Sequence, residues 1–360
     1  MSSNMLSWIK GLRGNFSDNK QATIVMGNEA ADLDSMASAV TYAWYLNLSD
    51  ADGKYFPLIN IPRADFKLRT EAVYLFQEAG INIDNLLFTE DIDLDKLKAG
   101  SNLKLILVDH NKLASSQTGL ETVITGILDH HADEESYPPA AVTDIRPVGS
   151  CATIVSESFF KDQKNAIDGS IGTLLLGTIL LDTVNLDPDA GRVTDDDAKA
   201  AKEIIEISGL DSKKLFDKLQ FEKFNVSSLG SYDLLRKDYK EWQLGSVKLG
   251  IGSVLMPVED WAAKDPDITN EFDRYLKERK LDVLLAMNAF TAPGFTRQLV
   301  VYVPDSGLRE KTISFMEGSD LGLVKLDVNS SADSCTFYNQ KNLGISRKKL
   351  QPLLKEFFEG

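Results

Sequence analysis

Histidine and cysteine are both scarce in this chain, which has three histidines and two cysteines among its 360 residues. Cys151 and Cys335 lie far apart and form no CxxC pair, which argues against a cysteine-rich zinc site or a disulfide framework. No uncharged apolar run reaches the roughly 18 residues that span a membrane, because Asp182 interrupts the longest candidate. We therefore expect a cytoplasmic protein in a reducing compartment.

Positive charge is also in deficit, because 39 lysines and arginines face 54 acidic residues, for a formal net charge of −15. Binding to nucleic-acid phosphates normally requires a basic face, so this balance argues against a nucleic-acid partner. We expect no membrane partner and a monomeric protein. The first 16 residues lack a secretory apolar core, and we expect a surface helix packed on the first domain rather than a transit peptide.

All three histidines sit beside aspartates at the ends of apolar runs. The segment DHN at 109–111 follows LKLILV, and DHH at 129–131 follows VITGIL. Imidazole and carboxylate groups at the tips of neighbouring strands are ligands that divalent Mn, Co or Mg sites use. A single Asp-His pair is more often a surface pair or a satisfied buried group. Two such tips, together with a third acidic loop, favour a metal centre.

The third acidic loop, GNEAADLDS at 27–35, follows the apolar run ATIVM. Asp32 and Asp34 fall where this loop turns into a helix expected to begin near Ser35. A single aspartate there would ordinarily be an N-cap or a partner of the helix dipole. Two carboxylates two residues apart, with Gly27 permitting close backbone approach, instead predict a cation site.

Asp182 is the only charged residue between Ile171 and Leu186. An isolated buried carboxylate is costly unless it is paired or bound to metal. We therefore predict that Asp182 is a further metal ligand.

Apolar runs alternate with helical patterns from Ala22 to about Leu181, which predicts an α/β fold. ATIVM, PLINI, LKLILV and VITGIL are interpreted as strands of a doubly wound, mainly parallel sheet with the acidic loops at the carboxyl ends of its strands. Gly149-Ser150 leads into a further helix. That helix start would either present N–H groups to a phosphate or be an ordinary helix cap.

Later apolar runs, including VKLGIGSVLMP, LDVLLAMNAF and RQLVVYVP, predict a second, smaller α/β domain with a mixed sheet of about five strands. The acidic, turn-rich segment DPDAGRVTDDD and the helices after it are interpreted as the connection. The expected organisation is a metal-binding domain at 1–200, a helical connection at 201–228 and a substrate-binding domain at 229–360.

The order of the motifs GNEAADLDS, VDHN, LDHH and LLDT resembles that of the DHH phosphoesterase superfamily, which includes family II inorganic pyrophosphatases, fungal exopolyphosphatases and prune-like proteins. The resemblance extends to LLRKDYKEW at 234–242 and SRKK at 346–349, which match the second domain of this branch. It implies an active site in the cleft between the two domains that holds two divalent cations, Mg²⁺, Mn²⁺ or Co²⁺.

The resemblance also assigns roles to individual residues. The five metal ligands, with Asp109 bridging both cations, would be Asp32, Asp34, Asp109, His130 and Asp182. His110 and His131 would face phosphate oxygens and act with Asp109 in catalysis. Further substrate contacts would come from Asn28, Lys240, Arg347 and Lys348. Arg63 joins them because it lies in a basic cluster that would offset the acidic net charge beside a polyanion.

Three positions separate the branches of the superfamily. Asn28 stands where pyrophosphatases carry a histidine ligand, no proline precedes Asp32, and His131 is retained. The chain therefore resembles most the cytosolic exopolyphosphatase of yeast. This implies release of terminal orthophosphate from inorganic polyphosphate by a hydroxide shared between both cations. The alternatives are a family II-like pyrophosphatase and a prune-like phosphodiesterase or partner-binding protein.

Overall fold

Two units, Met1–Lys223 and Phe224–Gly360, make up the chain in a computed structural model. The structure describes residues 4–17, 21–50, 52–137, 142–291, 293–328 and 334–360. Each unit has its own sheet and its own buried apolar core. The expected domain limits at 1–200, 201–228 and 229–360 stay a prediction, which differs from these units in separating residues 201–223 from the first domain.

Among the described residues, the sheet of the first unit has six strands: β1 (Ala22–Met26), β2 (Tyr55–Ile59), β3 (Leu87–Phe88), β4 (Leu103–Val108), β5 (Ile124–Asp129) and β6 (Val142–Ile145). Their order is β3-β2-β1-β4-β5-β6, and every neighbouring pair is parallel. The predicted doubly wound sheet is confirmed. The short strands β3 and β6 were not predicted. Because the order reverses between β1 and β4, a ligand site is expected beyond their carboxyl ends.

The helices of the first unit cover this sheet: α1 (Met5–Ser17), α2 (Leu33–Ser49), α3 (Arg63–Phe66), α4 (Thr70–Glu78), α5 (Leu94–Ala99), α6 (Cys151–Asp162), α7 (Gly169–Asp182), α8 (Asp195–Ser208) and α9 (Ser212–Phe224). In α1, Met5, Ile9 and Leu12 recur at helical spacing and are buried in the core, as predicted for this segment. Its Trp8 ring lies 5.3 Å from that of Trp44.

Helix α7 accounts for the longest apolar run of the sequence. Every residue from Ile171 to Leu181 is buried, and the helix packs against α2, α4, α6 and α8. A helix that is apolar on all sides is typical of the centre of a core. In the part of the chain that the structure describes, no helix combines the length and the hydropathy needed to cross a membrane.

The second unit contains a mixed sheet in the order β11-β12-β10-β9-β8-β7. In chain order, its described elements are α10 (Ser231–Lys237), β7 (Tyr239–Leu244), β8 (Val247–Val254), α11 (Val258–Lys264), α12 (Ile268–Arg279), β9 (Val283–Phe290), β10 (Thr296–Tyr302), α13 (Ser306–Gly318), β11 (Leu323–Lys325), β12 (Cys335–Gln340) and α14 (Arg347–Glu359). Only β8 and β9 pair in parallel among these strands, which confirms the predicted mixed sheet. Strand β9 is buried on both faces: Leu285 packs into one core and Leu284 into the other.

Candidate metal centre

A cavity of about 340 Å³ lies in the first unit, beside the loops that follow β1, β4 and β5. Its lining consists of four aspartates, two histidines and three other residues: Asp32, Asp34, Asp109, Asp182, His130, His131, Val148, Gly149 and Arg192. All five predicted metal ligands are among them. The fold therefore brings together carboxylates that are far apart in the sequence, at the edge of the sheet where ligands are expected.

Asp109 follows β4 directly and has a φ of 60°, in the left-handed region that few non-glycine residues adopt. Its backbone N–H donates to Leu128 O at 2.9 Å. Its Oδ1 atom is buried and accepts no hydrogen bond from any described residue. That oxygen lies 3.1 Å from His130 Nε2. An unpaired buried carboxylate oxygen beside an imidazole nitrogen is an arrangement that suits a cation.

The tautomer of His130 follows from its backbone partner. His130 Nδ1 lies 3.0 Å from Val148 O, which can only accept, so Nδ1 carries the hydrogen. In the neutral ring Nε2 then keeps its lone pair, and this atom faces Asp34 Oδ2 at 3.7 Å as well as Asp109. A histidine fixed in this way by a carbonyl is the usual form of a metal-ligating histidine.

Asp129, which sequence reasoning assigned no role, organises the second histidine motif. It is fully buried, and its Oδ1 accepts from the backbone N–H groups of His130 and His131 at 2.8 and 3.2 Å. The same oxygen lies 2.8 Å from His131 Nδ1, while Oδ2 accepts from Asn111 at 2.5 Å. His131 itself is 58% exposed. Its Nε2 is therefore the ring atom left for another partner.

His110 is placed differently from the other two histidines. Its Nδ1 lies 2.9 Å from Val108 O, and its Nε2 is buried without a hydrogen-bond partner among the described residues. Burial lowers the pKa of the ring, which keeps it neutral. His110 is not among the residues that line the cavity, so its predicted contact with phosphate stays a prediction.

Asp34 corrects one expectation from the sequence. Its carboxylate accepts from the N–H groups of Cys151 and Ala152 at 2.6 and 2.9 Å, and from Ser38 Oγ at 3.0 Å. The start of α6 after Gly149-Ser150 therefore binds this internal carboxylate, where the sequence had suggested a phosphate or an ordinary cap. Asp32 is the N-cap of α2, since its side chain accepts from Ser35 N at 3.1 Å, and it also lines the cavity.

The carboxylates raise one another's pKa values. Burial is the main cause for Asp34, Asp109 and Asp182, and repulsion from the neighbouring aspartates adds to it. Asp182 ends α7, and its buried Oδ2 accepts no hydrogen bond from a described residue. Bound divalent cations would offset both the cost of burying these carboxylates and the repulsion between them. The unpaired oxygens of Asp109 and Asp182 and the lone pair of His130 fit such cations, and the ligand atoms of Asp109, His130 and His131 lie within 4.8 Å of one another.

Asn28 lies against the same centre. Its Oδ1 accepts from Ala31 N at 2.9 Å, which fixes the orientation of the amide because a backbone N–H can only donate. Its Nδ2 then donates to Asp109 Oδ2 at 2.9 Å. In this structure Asn28 holds the Asp109 carboxylate, and its predicted contact with substrate stays a prediction.

Arg63 is not among the residues that line the cavity. Its guanidinium donates to Ile83 O and Leu86 O at 3.0 and 3.1 Å and pairs with Asp91 at 2.6 Å. It also stacks 4.3 Å over the Phe88 ring. These contacts hold the chain around β3, and the predicted contact of Arg63 with substrate stays a prediction.

The two motifs of the second unit meet each other. Arg347, at the start of α14, donates to Asp238 O at 2.7 Å and pairs with the Asp238 carboxylate at 2.5 Å. It also donates to the backbone oxygen of Ile251 on β8. Ile251 lies opposite Lys240 of β7 in the paired strands. Lys240 and Lys348 are exposed. Arg347 of SRKK thus joins this motif to the segment LLRKDYKEW, which contains Asp238.

Arg192 and Asp197 were overlooked by the sequence reasoning, which interpreted their segment as a connection. Asp197 is fully buried and accepts from Gly149 N at 2.8 Å, Thr194 N at 2.7 Å and Thr153 Oγ1 at 2.5 Å. The T-x-x-D pattern of a capping box at 194–197 was the available signal. Arg192 had no comparable signal, because one arginine in a turn is ordinarily solvated.

The comparisons with known proteins agree with this geometry. The model of the DHH family, N-terminal domain, matches residues 22–179, and that of the DHHA2 domain matches residues 217–357. Exopolyphosphatase PRUNE1 of Mus musculus is 35% identical over 358 residues, which cover 98% of this chain and 79% of the relative. The chain belongs to the DHH family. The resemblance predicted from the motifs is confirmed.

Other relatives of this DHH chain carry related names. A Schizosaccharomyces pombe protein provisionally named as an exopolyphosphatase is 31% identical, with 93% of this chain and 90% of the relative covered. A manganese-dependent inorganic pyrophosphatase of Methanocaldococcus jannaschii is 28% identical, with 72% of this chain and 80% of the relative covered. The identities with the mouse and fission yeast proteins are close, so the preference for the fungal branch still depends on residues such as His131.

Proposed function

We propose that this chain is a metal-dependent exopolyphosphatase, a hydrolase that releases orthophosphate from the ends of inorganic polyphosphate. The observation that carries the proposal is the pair of buried, unpaired carboxylate oxygens on Asp109 and Asp182 beside the lone pair of His130. The family supports the reaction class, since its relatives are named as exopolyphosphatases and inorganic pyrophosphatases, both of which cleave phosphoanhydride bonds.

In this proposal Asp32, Asp34, Asp109, His130 and Asp182 hold two divalent cations. Bound there, Mg²⁺, Mn²⁺ or Co²⁺ would lower the pKa of a shared water and offset the charge of phosphate oxygens. Asn28 orients Asp109 through its amide. Asp129 accepts from Nδ1 of the His131 ring, so Nε2 of the doubly protonated ring would donate to a phosphate oxygen or pass its proton to the leaving oxygen.

The second unit is proposed to bind the anionic chain of the substrate. Lys240 and Lys348 are exposed cations in the two motifs that Arg347 and Asp238 join. A guanidinium held by a carboxylate and a carbonyl is pre-oriented for further contacts with phosphate oxygens. We also propose a cytoplasmic location, which the free thiols of Cys151 and Cys335 support.

One experiment tests the substrate class. Orthophosphate release is measured in parallel from long polyphosphate, tripolyphosphate and pyrophosphate, with Mg²⁺, Mn²⁺ and Co²⁺ in turn. We expect polyphosphate to be hydrolysed far better than pyrophosphate. Asn28 offers Asp109 an amide donor where pyrophosphatases have a histidine ligand, so the cation site should differ from theirs.

A family II-like pyrophosphatase is the second candidate, favoured by the manganese-dependent relatives. Equal or greater activity on pyrophosphate than on polyphosphate, with Mn²⁺ as the best cation, would establish that activity instead. The absence of orthophosphate release from all three substrates with every cation would reject both enzyme proposals.

A further inference from the structure

Arg192 is an unpaired cation in an acidic cavity. It is the only lysine or arginine among the residues that line the cavity, and its side chain is exposed. In the described part of the chain its guanidinium makes no hydrogen bond or ion pair. An arginine beside four aspartates would ordinarily pair with one of them, since an Arg–carboxylate fork is among the strongest side-chain contacts. Here Asp34 accepts from the start of α6, Asp32 from Ser35 N, and Asp109 lies beside His130 and Asn28.

The backbone that carries Arg192 is held in place, in contrast to its side chain. Gly191 turns the chain with a φ of 64°, and Thr194 begins the capping box of α8. The buried Asp197 ties this turn to Gly149 and Thr153. A Cβ added at Gly149 would lie 2.5 Å from Arg192 O, so the two backbones are in close contact. The root of the side chain is therefore fixed at the cavity wall, while its guanidinium can reach a ligand.

The charge of the cavity indicates what that ligand is. Two divalent cations would balance the four lining aspartates, which leaves Arg192 as the net positive charge of the wall. A substrate with several anionic oxygens needs such a surplus, all the more in a chain with a net charge of −15. A planar guanidinium also matches two oxygens of one phosphate group.

We propose that Arg192 contacts the phosphate group that lies over the cations, and so supplies the first unit with a substrate-binding cation of its own. This inference rests on the proposed function. It assigns to the turn after α7 a role in holding the scissile phosphate, separate from the basic residues of the second unit.

The test compares Arg192→Gln and Arg192→Lys with the native chain, all as full-length proteins loaded with Mg²⁺ or Mn²⁺. For Arg192→Gln we expect KM for polyphosphate and the inhibition constant of inorganic phosphate to rise at least about tenfold. The lysine variant should recover part of this loss, because it keeps the charge but loses the fork. Cation affinity, measured by calorimetry without substrate, should be unchanged or slightly tighter, because a neighbouring positive charge has been removed.

Lys202→Gln is the matched control, because it removes one positive charge from an exposed side chain on α8. It should leave all three measurements within about twofold of the native values. Phosphate affinity in Arg192→Gln equal to that of the control would overturn the inference. A loss of cation affinity in that variant would also overturn it, since it would show a structural role.

A calorimetric titration of the metal-loaded native and Arg192→Gln chains with inorganic phosphate measures phosphate binding without catalysis. It therefore separates this inference from the proposed function. If the native, metal-loaded chain hydrolyses no polyphosphate, the proposed function fails, whereas the effect of Arg192→Gln on phosphate binding can still be measured. If the native chain is active and the variant binds phosphate normally, the inference about Arg192 fails alone.

Discussion

Asp109 combines an unusual backbone conformation with a buried carboxylate. Its backbone occupies the left-handed region, Asn28 holds its Oδ2, and its Oδ1 is buried without a partner among the described residues. Strain and unpaired buried oxygens of this kind persist where the surrounding structure enforces them, typically at functional sites. The side chain is therefore arranged for a partner that no neighbouring residue supplies.

Asp109→Asn should abolish catalysis without unfolding the chain. The amide keeps the shape of the carboxylate but loses its charge and one acceptor, so the affinity for divalent cations should fall. We expect orthophosphate release from polyphosphate to drop more than about 100-fold, close to 2.7 kcal/mol of barrier. Asp133→Asn, at an exposed acid two residues after the DHH motif at 129–131, is the control and should retain activity. If Asp109→Asn and His130→Ala both kept more than about a tenth of the native rate, the metal-centre proposal would be rejected.

Asp182 provides a pH-dependent prediction at the same scale. Burial raises its pKa well above the ordinary value of 3.8, so without cations the folded chain binds a proton that the unfolded chain releases. The stability from this carboxyl is present at acidic pH and is lost as the pH rises from about 4 through the raised pKa. Because the amide in Asp182→Asn carries no charge, the variant does not lose stability in this way as the pH rises. In chelator, the variant should be more stable than the native chain near pH 8, and the difference should shrink towards about pH 4.

Urea unfolding over a pH series, with chelator and with saturating Mg²⁺ or Mn²⁺, measures this effect. Cations should reverse the order, because only the native chain then has its full set of carboxylates to bind them. A variant that is less stable than the native chain in chelator at every pH would contradict this account of Asp182.

At the scale of elements, the buried Asp197 carboxylate connects the capping box of α8, the loop before α6 and Thr153 within α6. The start of α6 in turn donates to Asp34 through Cys151 and Ala152. Two carboxylates therefore hold three helices, α2, α6 and α8, at the rim of the cavity. Neither carboxylate needs a cation to make these contacts.

Asp197→Ala should destabilise the first unit. It removes the Asp197 half of the capping box of α8 and leaves the N–H of Gly149 without its acceptor, which together should cost about 2 to 4 kcal/mol. Asp197→Asn should cost clearly less, because its amide oxygen can still accept from Gly149 and Thr194. Urea unfolding of the full chain measures both variants. Equal and small losses for both would show that this network contributes little.

At the scale of the whole molecule, the two units carry different parts of the proposed site. The proposed metal ligands all lie in Met1–Lys223, whereas Lys240, Arg347 and Lys348 lie in Phe224–Gly360. Substrate affinity and cation affinity should therefore respond to different substitutions. This separation follows from the chain positions of the residues and is open to direct measurement.

Replacing both Arg347 and Lys348 by Ala should raise KM for polyphosphate and lower kcat together, because contacts with phosphate oxygens act in the ground state and strengthen as charge builds up in the transition state. Arg347→Lys alone should also be harmful, since an ammonium cannot span the carbonyl and carboxylate of Asp238 as a guanidinium does. Calorimetric cation affinity should stay unchanged. Lys355→Ala, elsewhere on α14, is the control. Normal polyphosphate kinetics in the double variant would show that these residues form a solvated face.

Local sequence patterns were sufficient for the framework of the site. Three of the four apolar runs that lead into aspartate motifs form strands of the parallel sheet, the fourth forms α7, and all five predicted ligands line one cavity. This is because parallel strands align their carboxyl ends, so residues that follow separate strands must meet at one edge. The isolated charge of Asp182 indicated a place at this cavity, which Asp182 lines, because a buried carboxylate is costly without a partner.

Only the tertiary structure decided which polar groups are already satisfied by the protein itself. The N–H groups at the start of α6 bind Asp34, and the guanidinium of Arg63 binds Asp91 and two carbonyls, whereas that of Arg192 has no hydrogen-bond partner among the residues that the structure describes. In the sequence these are all plausible phosphate-binding groups. Hydrogen bonds and ion pairs between residues distant in the chain depend on three-dimensional distances of a few ångströms, which composition and periodicity do not encode.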